Sequence, residues 1–272
     1  MNISDLIPEE YLEVAQKITC FIKNCELNYL NNGLPATWYR GQAKDWPLVP
    51  GILRRDVCNS LDRQEILFPN KKLNPLLNLE QMLLTSFKRE GSVMMERPLS
   101  NKEWYYAAQH HGLPTRLMDW TFNPRVALWF AVQTHDDEDG YIYTTNATSY
   151  CQRKNMTEIK ALEKDYYNCS FRDARLSDDS IWNGDIYAVF PETYNNRQAR
   201  QSSLFTLHLP DLSHIEEYFT TTSTIVPLNT LRIPKKDKPL LRAFLSAEGM
   251  RRWHVFPNLD HLAKGLIEET IA

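Results

Sequence analysis

The sequence predicts an α+β fold, a single mixed domain over residues 1–272 in which helices flank an antiparallel or mixed sheet. Three observations carry this. Apolar residues recur at helical spacing in several separate stretches. Short alternating segments opened by turn residues stand between them. No internal repeat, low-complexity tract or Gly/Ser linker divides the chain.

The first helix is predicted within residues 1–30. There "SDLIPEEYLEVAQKITCFIKNCELNYL" opens on cap and turn residues and then places Tyr11, Leu12, Ala15, Ile18, Ile22 and Leu27 at helical intervals. "ATWYRGQ" follows as a short strand. "KDWPLVPGILRR" is interrupted by Pro47 and Pro50, which predicts an extended loop anchored by Trp46, Leu48 and Ile52. Residues 76–90, "LLNLEQMLLTSFKRE", form a second amphipathic helix, and "NKEWYYAAQHHG" a third, ended by Gly112 and Pro114. In "NPRVALWFAVQTH", Pro124 suits the first turn of a fourth helix whose apolar face is Val126, Ala127, Phe130 and Ala131. "DGYIYTT" and "GDIYAVFP" alternate as strands do, and the polar, irregular stretch 150–178 between them reads as a surface excursion. "SSLFTLHL" and "TIVPLNTLRIP" supply further strands. "KPLLRAFLSAEGM", capped by Gly249, and "DHLAKGLIEETIA" supply the last helices.

Composition narrows the function classes. Hydrophobic content of 43%, charged content of 24% and a net charge of −3 are ordinary for a globular protein and give no general attraction to nucleic acid or anionic membrane. Five scattered cysteines without C-x-x-C or Cys/His ligand spacing speak against a disulfide framework and a structural zinc site, and no metal is expected. The acidic opening "MNISDLIPEEYLEV" lacks a signal-peptide layout, and no apolar run is long enough to span a bilayer. The expectation is a cytoplasmic protein without a membrane partner.

Two stretches carry candidate chemistry. In "WYRGQ", an arginine stands between an aromatic pair and a glycine. A guanidinium is costly to bury without a partner, so Arg40 is either a surface residue at a strand end or an anion holder in a cleft, with Gly41 letting the backbone come close. The second stretch, "AQHHGLPTRLMDWTFNPRVALWFA" at 108–131, concentrates His110, His111, Thr115, Arg116, Asp119, Trp120 and Thr121 on a connection between two helices. Each has a plain alternative: an Arg116–Asp119 ion pair, a helix cap at Thr121, a hydrogen-bonded core histidine at position 110. G-x-S-x-G, H-E-x-x-H, P-loop and G-x-G-x-x-G motifs are absent. Adjacent His110 and His111 point about 100° apart on a helix and suit one metal poorly.

These two stretches, with "RQARQSSLF" at 197–205 and "GMRRWHVFPNLDHLA" at 249–263, resemble the four signature blocks of the FRG domain family, named for an aromatic-Arg-Gly motif. The resemblance runs from the first helix to the last. Tyr39 replaces the family's Phe, His111 stands where an aromatic is commoner, and Ser203 where glycine is favoured. A second, shorter similarity is to ADP-ribosyltransferases of the arginine–serine–glutamate type. "TWYRG" is similar to their first strand, "MDWTFNPRVALWFA" to their Ser/Thr strand and following helix, and the segment around Gln201 falls where their catalytic glutamate lies.

That second similarity implies an ADP-ribosyltransferase-like fold and an enzyme that takes NAD as substrate and modifies a macromolecule, protein or nucleic acid. The resemblance to FRG proteins implies a toxin or antiviral effector role in bacterial and phage conflict, with a neutralising or regulatory protein as partner. The implied catalytic set is Arg40, His110, Asp119 and Gln201; Tyr39, Arg40, Gly41, Thr115, Arg116, Trp120 and Thr121 are the implied NAD-binding set. Arg40 would grip phosphate or ribose oxygens, Thr121 orient neighbours, Tyr39 or Trp120 stack on nicotinamide, and Gln201 meet the ribose. "RQARQSSLF" has no carboxylate at the glutamate position, which makes Asp119 the best substitute, with Glu192 behind it. Two other readings stay open: a non-catalytic nucleotide or nucleic-acid binding module, and a nuclease using His110 and His111 as acid and base.

Overall fold

The computed structural model describes residues 9–32, 37–54, 57, 75–146, 186–189, 196–208 and 229–271. The predicted excursion at 150–178 and Glu192 lie outside them. The elements are α1 (Glu9–Asn32), β1 (Thr37–Gln42), α2 (Pro75–Gly91), α3 (Asn101–His110), β2 (Leu117–Thr121), α4 (Pro124–Val132), β3 (Gly140–Asn146), β4 (Ile186–Val189), α5 (Asn196–Gln201), β5 (Ser203–His208), β6 (Asn229–Ile233), α6 (Lys238–Ala247), α7 (Arg252–Val255) and α8 (Leu259–Ile271).

The strands form one six-stranded sheet in the order β4-β5-β2-β1-β3-β6, and every neighbouring pair is antiparallel. This is an α+β architecture. Pairing is uneven across it. β1 and β3 pair continuously from Thr37↔Asn146 to Gln42↔Tyr141, and β2 and β5 from Leu117↔Leu207 to Thr121↔Ser203. Between them, β1 and β2 meet only at Tyr39↔Thr121. The two halves of the sheet therefore part on one side of that pair.

Alternation along the strands sends Tyr39, Gly41, Leu117, Asp119, Thr121, Phe205 and Leu207 to one face. Helices cover that face in two groups. Tyr39, Ile142 and Ile233 pack with Ala127, Leu128 and Ala131 of α4, Ile18 and Ile22 of α1, and Leu241 and Leu245 of α6. Leu117, Phe205 and Leu207 pack with Tyr105, Tyr106 and Ala108 of α3 and Leu84 of α2. Trp38, Met118, Trp120, Tyr143 and Leu204 form a core on the opposite face, closed by Leu48 from the loop after β1.

Local chemistry accounts for the element ends. Ser100 and Glu103 form a capping box at the start of α3: the hydroxyl accepts from the Glu103 N–H and the carboxylate from the Ser100 N–H. Gly112, at φ +85°, ends the turn after it. Pro124 sits in the first turn of α4, where no N–H is needed, behind Asn123 whose side chain accepts from the Arg125 N–H. Gly249, at φ +84°, closes α6. One anchor reverses expectation: Leu48 and Ile52 are buried, but Trp46 is 41% exposed, because its ring lies edge-on to His135 beside the Lys44 ammonium instead of entering the core.

Candidate functional site

The parted strands hold a cleft of about 260 Å3 lined by residues of β1, β2, α3, α4, α5 and β5. It lies between the two groups of helices that cover the same sheet face. Tyr39, Arg40, Gly41, His110, Asp119, Trp120, Thr121 and Gln201, all singled out in sequence, line it together with Gln109, Phe130 and Arg197.

Arg40 fills the gap in the ladder. Its Nη1 donates to the Asp119 carbonyl at 2.7 Å, so a side chain continues the bonding where the backbones have separated. Nε donates to Gln42 Oε1 at 3.3 Å, and Gln42 Nε2 in turn donates to the Trp46 carbonyl. The side chain is only 16% exposed, and burial pulls its pKa below the usual guanidinium value, against the opposing pull of Asp119. Its Nη2 has no hydrogen-bond partner among the described residues. That leaves one edge of the fork for an anion or hydroxyl.

The Asp119 carboxylate stands at the mouth of the cleft, 54% exposed and 4.0 Å from Arg40 Nη1. A short relay aims it. Gln109 Nε2 donates to Asp119 Oδ2 at 2.7 Å, the Thr115 hydroxyl donates to Gln109 Oε1 at 2.6 Å, and the same hydroxyl accepts from the Leu117 N–H at 3.1 Å. Gln109, a cleft residue not among the sequence candidates, lies inside the block at 108–131 but carries no pattern of its own.

His110 ends α3 at the edge of the cleft. Burial, then the charges of Arg197 and His111, push its pKa down to about 3, so the ring is neutral at physiological pH. His111 is shifted in the same direction by burial and by Arg197. Thr121 is committed to the scaffold: its hydroxyl donates to the Gln201 carbonyl at 2.6 Å and accepts from the Asn123 N–H at 2.9 Å, joining β2 to α5 and to the start of α4. Gln201 faces the cleft with longer bonds, donating to the Val255 carbonyl at 3.2 Å and accepting from Ser203 Oγ at 3.5 Å.

Five sequence expectations need correction. Arg116 does not reach the cleft and does not pair with Asp119. It is buried, and its Nε donates to Oε2 of fully buried Glu80 at 2.7 Å. Glu80 also accepts from the Arg116 N–H and from the Tyr105 hydroxyl, which satisfies the carboxylate. Thr115 likewise lies under the site, acting through Gln109 instead of touching a ligand. Tyr39 and Trp120 present no open ring face: they are 3% and 2% exposed, Tyr39 edge-on to Phe21 and Trp120 donating from Nε1 to Thr206 Oγ1. Gly41 makes room for protein, not ligand; a Cβ there would lie 1.8 Å from the Ala127 carbonyl oxygen, so its absence lets α4 rest on β1.

Geometry and fold define an α+β protein whose central strands part around an arginine and an exposed carboxylate. The family model described as the FRG domain matches residues 35–140. The match takes in "WYRGQ" and the block at 108–131; the blocks at 197–205 and 249–263 lie beyond it, although α5 and β5 of the first of these complete the cleft. No curated protein and no solved structure gives a significant match to the chain.

Proposed function

We propose that the chain transfers the ADP-ribosyl group of NAD to a macromolecular acceptor, with the reaction centred between Arg40 and Asp119. The observation that carries this reading is the exposed, relay-held Asp119 carboxylate beside the partly uncommitted fork of Arg40. That donor set fits the chemistry. Arg40 Nη2 offers N–H groups to ribose or phosphate oxygens, and the Asp119 carboxylate accepts from a ribose hydroxyl while its negative charge faces the forming oxocarbenium ion.

In the reaction, the bond from ribose C1′ to the nicotinamide nitrogen breaks and nicotinamide leaves with the electron pair. The acceptor's nucleophilic atom then bonds to C1′. Its proton passes to His110, which burial first and the charges of Arg197 and His111 second keep neutral and so open to a proton. Gln201, an amide held by weak bonds, is placed for hydrogen bonding to the substrate; the charge-stabilising role of the glutamate falls to Asp119. A nuclease reading needs one protonated and one neutral histidine, and the pKa of about 3 at His110 with the lowered value at His111 argues against that pairing.

The test is incubation with NAD carrying a label on its adenylate, in the presence of cell lysate, with nicotinamide release followed in parallel. Label transfer by the wild-type chain, reduced about a hundredfold or more in Asp119→Asn, is the expected result. If the wild type neither transfers label nor releases nicotinamide, the reading is overturned.

A further inference from the structure

We propose that the open groove beyond His110 binds the diphosphate of a nucleotide, with Arg197 as its principal cation and His111 and His261 as flanking donors. The inference rests on the NAD reading for the identity of the nucleotide and on independent geometry for the chemistry of the groove.

The groove has a volume of about 660 Å3 and adjoins the cleft, sharing His110, Gly112 and Arg197 with it. Three imidazoles, one guanidinium and the amides of Asn196 and Asn258 line it, and among the described residues no carboxylate does. Such a lining recognises anions. The guanidinium is held in place: its carbon lies 4.4 Å from the centre of the Phe256 ring, and that ring stacks on His261 with centroids 4.4 Å apart and planes 19° from parallel. Aromatic support of this kind fixes the position of the guanidinium charge beside the groove.

The charge is felt throughout the groove. Arg197 contributes to the downward shifts of His110, His111 and His261 alike. A bound diphosphate would reverse that field.

Size supplies the link to the cleft. At about 260 Å3 the cleft falls below the roughly 300–1,000 Å3 usual for a drug-sized ligand, so a dinucleotide reacting beside Asp119 has to extend into neighbouring space. The groove is the adjoining space that carries the positive lining. A ligand spanning both would pass His110, Gly112 and Arg197, which line the two alike.

The experiment titrates the full chain with ADP and with ADP-ribose by calorimetry, using wild type, Arg197→Gln and His111→Gln, and with a short single-stranded oligonucleotide as comparison. We expect both nucleotides to bind wild type, with affinity reduced about tenfold or more in Arg197→Gln and by a smaller factor in His111→Gln. His111 is exposed at the surface, so its variant reports even if Arg197→Gln fails to fold. Arg197-dependent binding of ADP without any NAD turnover would uphold the groove and overturn only the transferase reading. NAD turnover with an unchanged KM in both variants would overturn the groove and leave the transferase reading standing. Absence of nucleotide binding, or binding of the oligonucleotide alone, would also overturn it.

Discussion

Arg40 Nη1 donates to the backbone carbonyl of Asp119 at 2.7 Å, across the gap where β1 and β2 cease to pair. One guanidinium thus stands in for the missing ladder bonds and presents its remaining edge to the cleft. Structure and chemistry are joined in this residue, so its variants should change both. Arg40→Ala leaves the Asp119 carbonyl without its donor and should lower stability by about 1–3 kcal/mol, with loss of turnover. Arg40→Lys keeps the charge but not the fork, and should recover more stability than activity. Urea melts beside NAD turnover check this; a lysine variant of full activity would show that the fork is not used.

Gln109 holds the Asp119 carboxylate by donating to Oδ2. Gln109→Met removes the donor to Asp119 Oδ2 and the acceptor for Thr115 at little change in volume. We expect kcat for nicotinamide release to fall about tenfold with KM little changed. Gln109→Glu, which still accepts from Thr115 but opposes the Asp119 carboxylate, should not rescue it. Equal losses in kcat and thermal stability, with rescue by glutamate, would assign Gln109 a packing role only.

Gly41 lies under α4. With a Cβ 1.8 Å from the Ala127 carbonyl oxygen, Gly41→Ala requires the helix to lift from the sheet. The cost should be about 2 kcal/mol or more, since backbone and not a flexible side chain must yield. Chemical denaturation measures it. A variant as stable as wild type would mean that α4 is free to shift.

Glu80 and Arg116 form a buried pair whose removal by halves is costly. Glu80→Ala removes the carboxylate that accepts from the buried Arg116 guanidinium, the Arg116 N–H and the Tyr105 hydroxyl, and should destabilise by about 3 kcal/mol. The double variant Glu80→Leu with Arg116→Met should be less damaging than Glu80→Ala alone. Denaturation midpoints of the single and double variants decide; additive losses would deny the coupling.

His208 makes stability depend on pH. It is 1% exposed, and burial first and the Arg40 charge second push its pKa down to about 3. In the unfolded chain histidine titrates near pH 6.5. Between these values the unfolded chain binds a proton that the folded chain refuses, so stability rises with pH through this window and is lost as pH falls below about 6.5. His110 acts in the same direction. From about pH 6 to about pH 5, before most carboxylates protonate, His208 should contribute a loss on the order of 1 kcal/mol per pH unit. His208→Gln should flatten this slope in urea midpoints measured across the window. An unaltered slope would place the acid sensitivity elsewhere.

Much of the fold was legible in the sequence because its signals are local. Helical spacing of Ile18 and Ile22, the punctuation of α3 by Gly112, the proline at the start of α4 and the alternation in "SSLFTLHL" act within a few residues of one another. The short helices α5 and α7 carry too few residues to show a period and were not foreseen. Of the candidate residues, His110 and Asp119 from the polar-rich stretch 108–121 share the cleft with Arg40 and Gln201.

What the sequence by itself determined was therefore which segments become helix or strand and which short blocks are rich in groups able to do chemistry. Only the tertiary structure decided the use of each group. Arg40 and Arg116 are the same residue in polar, motif-bearing segments. One lies where two strands part and reaches a cleft, and the other meets Glu80 from a different helix and is sealed in the core. Whether a polar side chain faces solvent, ligand or a buried partner depends on what distant segments bring to it. Contacts such as Arg40 with Asp119, or Arg197 with Phe256, join positions far apart in the chain and leave no mark in the spacing of neighbouring residues.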